Sequence, residues 1–383
     1  MSVVETATSL AEGVWYMEKS RGVYGGGFSI DPVYLFFLVN TMQVGVGILR
    51  APRVMAEDVG REGWIVAILA ALLVQFVMVC IFYVLRKYQS LSLLEVGHIL
   101  FGKTLNSFLS ILIGVYYFLL GVLLLRDFIG ILQDFIFTAS SPVFLYLLFL
   151  YPCYLILRGG ISLLTRFSVV VLLSTVWLMI FLIYPYLNFQ WEFMLPLFQH
   201  EIKDYAKATK DIMLDYFGFE IVFFFYPLIA PKKKALLYAS LGHWFTTLVY
   251  FLIIVGATGM YGSDMLKHQS YPTMDMFRLV QLPFIERVEI IGLSTWSMLI
   301  LLSVTGFILI CGQSIQHIRK GSFLSKPGTL TLLIFLTLLF IPDRFLDIDQ
   351  VLLYLGVIWV YVLGVYTAAF VVLSYFRKGT KKT

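Results

Sequence analysis

The stretch Thr41-Met42-Gln43-Val44-Gly45-Val46-Gly47-Ile48-Leu49 lies inside an apolar run that begins near Pro32. Two glycines one residue apart each cost about 1 kcal/mol against alanine in a helix interior. In lipid, interrupted backbone persists only where protein or a cavity covers it. The run is therefore expected to unwind in its middle, with a second half-helix starting at about Gly47. The N–H groups at the start of such a half-helix suit a carboxylate. Close packing of helices through small residues accounts for the same glycines, so the rest of the chain has to decide between the two readings.

A second interruption decides it. The run from Asp211 reads Asp215-Tyr216-Phe217-Gly218-Phe219-Glu220, continues apolar to Tyr226 and meets Pro227. A glycine and a carboxylate break a second hydrophobic segment. Two interrupted segments at matching positions of two halves point to a transporter-type site at the bilayer midplane.

The apolar runs fall at about 32–54, 63–85, 105–137, 142–158, 161–186, 211–230, 235–260, 288–315, 328–341 and 350–376. Most are long enough to span a bilayer; the ninth is short, and the third is long enough to tilt or to extend past the membrane. The fold class is thus an all-α polytopic membrane protein of about ten transmembrane helices, with spans 1 and 6 broken. An odd number of spans separates the halves, which gives a five-plus-five inverted repeat (LeuT-like). The expected division is 1–30 as a cytoplasmic segment, 31–377 as the transmembrane domain and 378–383 as a cytoplasmic basic tail. Lys and Arg concentrate in one set of loops, around Arg86, Lys87, Lys232, Lys233, Lys234, Arg319 and Lys320. That bias places both termini in the cytoplasm. Segment 90–103 reads as a short amphipathic helix on the inner face, with His98 as an interfacial residue.

Composition narrows the function. The 383 residues are 60% hydrophobic and only 13% charged, against about 25% charged for a soluble domain. The net charge of +5 is spread over separate loops, which is not a nucleic-acid footprint. Cys80, Cys153 and Cys311 all sit in apolar runs at unpaired spacing, so neither a disulfide framework nor a metal site is expected. His200, His243, His268 and His317 are scattered, and no cluster has ligand spacing. No cofactor motif and no set of nucleophile, base and oxyanion donors appears, so the chain is not read as an enzyme. The lead-in with Gly25-Gly26-Gly27 has no apolar signal region, so the first span is expected to insert the chain itself.

The candidate ligand-binding residues are Thr41, Gly45, Val46, Gly47, Tyr117, Phe217, Gly218, Phe219, Glu220 and Ser303. Glu220 would cost about 2.5–3.5 kcal/mol at a lipid-exposed helix centre, so it faces a cavity or a partner. It either braces the loose backbone of a broken span or carries a proton. Arg166 is the other coupling candidate: it is read first as a positive-inside anchor and second as a cation reaching the first span. Arg126 and Asp127 are adjacent and do not face each other on a helix, so each needs its own partner. Their role, and that of Asp134, is not set by the sequence. Tyr116 and Tyr117 are read as core packing or an aromatic wall.

The passages GVGILRAPRVMAEDVGREGWI (45–65), FGFEIVFFFYPLIAPKKKA (217–235) and YPTMDMFRLVQLPFIERVEIIGLSTW (271–296) occur in this order. Together they resemble the spore germination B-subunit family, the GerAB-type spore permeases. The resemblance implies membership of the amino acid–polyamine–organocation superfamily and an inverted-repeat fold. It implies a membrane subunit of a nutrient germinant receptor that binds a small nutrient, an amino acid, and triggers germination. It implies A and C partner subunits, the latter a lipoprotein, in the inner membrane of a spore-forming bacterium. A proton-coupled amino-acid transporter using the same pocket is the alternative.

Overall fold

The computed structural model describes residues 29–88, 91–280, 287–340 and 348–377. The glycine lead-in, Asp343, Asp347, the basic tail and part of the third passage quoted above lie outside the described residues.

The first run forms two helices, α1 (Val33–Gln43) and α2 (Gly47–Val59). The backbone leaves the helical region at Val44, where ψ is 85°. The second half-helix starts at Gly47, as the glycine spacing predicts. A tight turn through Gly60 leads into α3 (Gly63–Lys87). Helix α4 (Leu93–Phe101) opens on a capping box, in which the Ser92 N–H donates to the Glu95 carboxylate at 2.7 Å and the Glu95 N–H donates to Ser92 Oγ at 3.4 Å. It buries Leu93, Leu94, Val96 and Leu100. Helix α5 (Lys103–Phe135) has 33 residues. At 1.5 Å per residue that is about 50 Å, well beyond the thickness of a hydrocarbon core.

Helix α6 (Pro142–Thr175) covers the fourth predicted run and the start of the fifth. Gly160, at φ 62°, leaves the helical region and separates them. The loop after it holds a helix the sequence reading passed over, α7 (Ile202–Ile212). Its IKDYAKATKDI pattern buries Ala208, Thr209 and Ile212 on one face, and Glu201 and Asp204 cap its start. Such a short amphipathic helix gains stability by laying that face on a larger body, here α2 and α3.

The sixth run is broken over a longer stretch than the first. Residues 213–216 and 226–228 are 3-10 turns, Phe217 is extended, and the intervening α8 (Ile221–Phe224) is one turn long. Aromatic residues, Gly218 and Pro227 crowd this segment, and such residues propagate a helix poorly. Helices α9 (Ala235–Tyr261), α10 (Pro272–Arg278), α11 (Val288–Ile318), α12 (Pro327–Phe340) and α13 (Ile348–Phe376) complete the described chain. Among the described residues six helical stretches are long and apolar enough to cross a membrane, and α12 is short. The molecule is an all-helical polytopic membrane protein.

The centre is built from α11 lying along α5, with α1 held between α6 and α9. At one end of the first broken segment, the Ile30 N–H donates to the Leu228 carbonyl at 2.8 Å, and the Ala230 N–H donates to the Ile30 carbonyl at 3.0 Å. The beginning of the first broken segment is thus fastened to the end of the second.

Candidate functional site

The two interruptions meet. A Cβ added at Gly218, which has φ 113°, would stand 2.6 Å from the Met42 carbonyl oxygen. Only glycine accepts both that backbone angle and that approach. Gln43 Nε2 donates to the Tyr216 carbonyl at 2.6 Å and lies 3.1 Å from His243 Nδ1. His243 Nε2 lies 3.0 Å from the Ala71 carbonyl. One polar chain therefore runs from α3 through α9 to both breaks, and it serves a carbonyl that has lost its helical partner. All of these side chains are buried. The sequence reading left His243 among scattered histidines; its place in an otherwise apolar run was the available signal.

The carbonyls freed by the first break are also met from α11. Ser303 Oγ donates to the Thr41 carbonyl at 3.2 Å and to Leu299 at 3.0 Å. Trp296 Nε1 donates to the Gly45 carbonyl at 3.1 Å, and Thr273 Oγ1 on α10 donates to Ile48 at 2.8 Å. Thr41 Oγ1 turns back on its own helix, to Phe37 at 2.8 Å.

At the start of α2 the chain supplies an anion of its own. The Asp215 carboxylate lies against Gly47, so that a Cβ added there would fall on it. Gly45 is different: its added Cβ would meet nothing nearer than Leu124 Cδ1 at 3.8 Å. Asp215 therefore stands at the N-terminus where a carboxylate is favoured.

Glu220 is 1% exposed. Its Oε2 accepts the Gly218 N–H at 2.6 Å, and its Oε1 accepts Trp359 Nε1 at 3.3 Å. It therefore holds the backbone of its own interrupted segment. Tyr116 stacks on Trp359 with ring centres 4.0 Å apart, and Tyr117 meets the same indole edge-on at 5.5 Å. Arg50 on α2 pairs with Asp127 on α5 at 2.9 Å, and both are buried, which supplies a partner for Asp127. Arg126 is also buried, and Asp134 and Arg166 are exposed.

Two cavities border the breaks. One, of about 50 Å³, lies beside Val44 and is lined by Asn40, Thr175, Phe277, Trp296 and Leu299 among others. The second borders Glu220. The structure brings Thr41, Gly45, Gly47, Ser303 and the 217–220 segment together, and it puts Tyr117 on the Glu220 side.

Fold and site define a class: a helical membrane protein whose two interrupted segments face each other at its centre. Residues 29–344 match the spore permease family, described as spore germination protein. The chain is 28% identical over 278 residues to spore germination protein GerQB of Bacillus cereus, covering 73% of this chain and 77% of that one. It is 25% identical over 333 residues to spore germination protein A2 of Bacillus subtilis (strain 168), covering 84% and 89%. It is 22% identical over 265 residues to spore germination protein B2 of the same organism, covering 68% and 72%. The chain belongs to the spore germination protein family, as the resemblance of its three passages implies.

Proposed function

We propose that this chain is the ligand-sensing membrane subunit of a nutrient germinant receptor, and that it binds a small nutrient, an amino acid, where its two breaks meet. The observation that carries this reading is the direct contact of the two interruptions, Gly218 on Met42 and Gln43 on Tyr216, in a chain of the spore germination family. The seat comprises the backbone of Gly45, Val46 and Gly47 and of Phe217, Gly218 and Phe219, with Thr41 and Ser303 beside it. The N-terminus of α2 suits the nutrient's carboxylate, and the cavity beside Val44 has room for a side chain. Binding shifts the subunit between two conformations, and A and C partner subunits read the shift.

The setting is the inner membrane of a spore-forming bacterium, with both termini cytoplasmic. The five-plus-five inverted repeat is supported by the order in which the broken segments meet. Ile30 and Ile229 form a locally parallel bridge, while Gln43 bonds Tyr216, so the start of each segment lies by the end of the other. A second reading, favoured by the buried Glu220 carboxylate, is a proton-coupled amino-acid transporter with Glu220 or Arg166 in the coupling.

The test is equilibrium binding of a panel of L-amino acids and sugars to the purified receptor complex. Saturable binding of a nutrient that also triggers germination is the expected result. Failure of every germinating nutrient to bind would overturn the reading. Uptake of the bound nutrient by proteoliposomes, driven by a proton gradient, would favour the transporter.

A further inference from the structure

A third cavity, of about 540 Å³, takes no wall from either break and lies against the start of α3 and the second half of α9. Trp64 and Phe251, edge to face at 6.0 Å, form one side together with Val255. Tyr186, Phe189, Trp191 and Leu195, on the segment between α6 and α7, form the other. That segment is fastened to α9. The Gln190 N–H donates to the Gly259 carbonyl at 2.8 Å, and Tyr186 Oη donates to the Leu252 carbonyl at 2.9 Å. Phe189 lies so close to α9 that a Cβ added at Gly259 would fall on its ring. The groove is therefore built into the fold, and its outer wall stays open: Trp191 and Leu195 are 76% and 59% exposed.

Depth narrows what can fill it. Trp64 is the second residue of α3, and Phe251 and Val255 precede Tyr261, the end of α9, by ten and six positions. At 1.5 Å per residue the groove reaches about 15 Å inwards from that end, half of a hydrocarbon core of about 30 Å. A protein helix about 10 Å across would need on the order of 1,200 Å³ over that length, more than twice the space present. An extended peptide would bring backbone N–H and C=O groups that apolar walls cannot pair. An acyl chain brings none. Its methylenes each take about the 30 Å³ of a water molecule, so on the order of fifteen of them fit. At the rim, the turn Gly60–Glu62 packs on Trp191–Met194, which places Arg61 by the mouth. Arg61 is half-buried and makes no ion pair among the described residues. A chain gains no apolar burial by leaving lipid for the groove, so the charge at the mouth is what selects the headgroup. We infer that this groove holds one acyl chain of an anionic phospholipid, with the phosphate on Arg61 and the chain along Trp64, Phe251 and Val255. The site shares no residue with the nutrient seat and does not depend on it.

The test uses the purified full-length chain in lipid-free maltoside micelles. Dioleoylphosphatidylglycerol or dioleoylphosphatidylcholine is titrated in, read by native mass spectrometry and by unfolding temperature. The expected result is one phosphatidylglycerol retained saturably, with a rise in unfolding temperature, and weaker retention of phosphatidylcholine. Arg61→Gln should weaken phosphatidylglycerol binding about fivefold and erase the preference between the two lipids. Val255→Trp fills the groove, and Leu195→Glu sets a charge on its exposed wall, where the fold tolerates substitution. Each should abolish the saturable lipid. No saturable lipid in the unaltered chain, equal affinity for the two lipids, or undiminished retention in folded Val255→Trp and Leu195→Glu would overturn the inference. So would a photo-crosslinker at Leu195 that captures a polypeptide instead of lipid in the assembled receptor complex, which would give the groove to a partner protein.

Discussion

At the scale of single residues, the two glycines of the first break have different duties. Gly45 has open space around its missing Cβ, whereas Gly47 has the Asp215 carboxylate in that place. Gly45→Ala is therefore expected to leave the subunit folded, at a cost or gain within about 1 kcal/mol. Gly47→Ala must displace Asp215 or shift α2, and is expected to cost about 1–3 kcal/mol by overpacking. Unfolding midpoints of the two purified variants check this, and equal midpoints would contradict the steric account. Gly364 has no neighbour within 4 Å of its added Cβ, so Gly364→Val serves as the tolerated control.

At the scale of elements, what holds the half-helix α2 is a set of ties rather than a continuous backbone ladder. Arg50 ties it to α5 by a buried ion pair. Asp58 pairs with Lys207, and Glu62 just beyond α2 accepts Tyr205 Oη, the Gln199 N–H at 2.9 Å and His200 Nδ1 at 3.1 Å, tying that end to the α7 region. Removing one partner of a buried pair takes away part of what compensates the other's charge, which costs up to about 3–5 kcal/mol. Asp127→Asn is too mild to show the full effect; Asp127→Leu is expected to lower stability by that amount. The double variant Arg50→Met with Asp127→Leu should recover most of the loss. A double-mutant cycle on unfolding free energies measures the coupling, and additive losses would show that the pair does not act as a unit. These ties were not legible in the sequence. Arg50 and Asp127 are 77 positions apart, and Gln43 and His243 are 200 apart. Hydrophobic period shows where each span lies, but pairing between spans is decided by which faces pack.

At the scale of the whole molecule, six long apolar helices were legible because lipid demands uninterrupted apolar length, and the first break because Gly-x-Gly opposes a helix. The boundary between the fourth and fifth runs was readable for the same reason, and Gly160 marks it in the structure. The second break was marked by Gly218 and Glu220, but its form was not legible, since a run of aromatics reads as strongly apolar whether or not it is helical. Topology follows from the proposed orientation. A cysteine at Lys233 should react with an impermeant thiol reagent from the cytoplasmic side only, and one at the exposed Lys203 from the opposite side only. Labelling on a single side at both positions would exclude the five-plus-five arrangement. The carboxylate resting on Gly47 has a further consequence for dose. If a nutrient's acid group is to sit at the head of α2, it must first evict Asp215, so the receptor's threshold is set by how often that internal tenant leaves. A seat vacant one time in a hundred weakens the apparent affinity by about a hundredfold. Asp215→Ala should therefore move the germination dose–response curve to lower nutrient concentration at equal subunit abundance, making the spore quicker to wake on a trace of food.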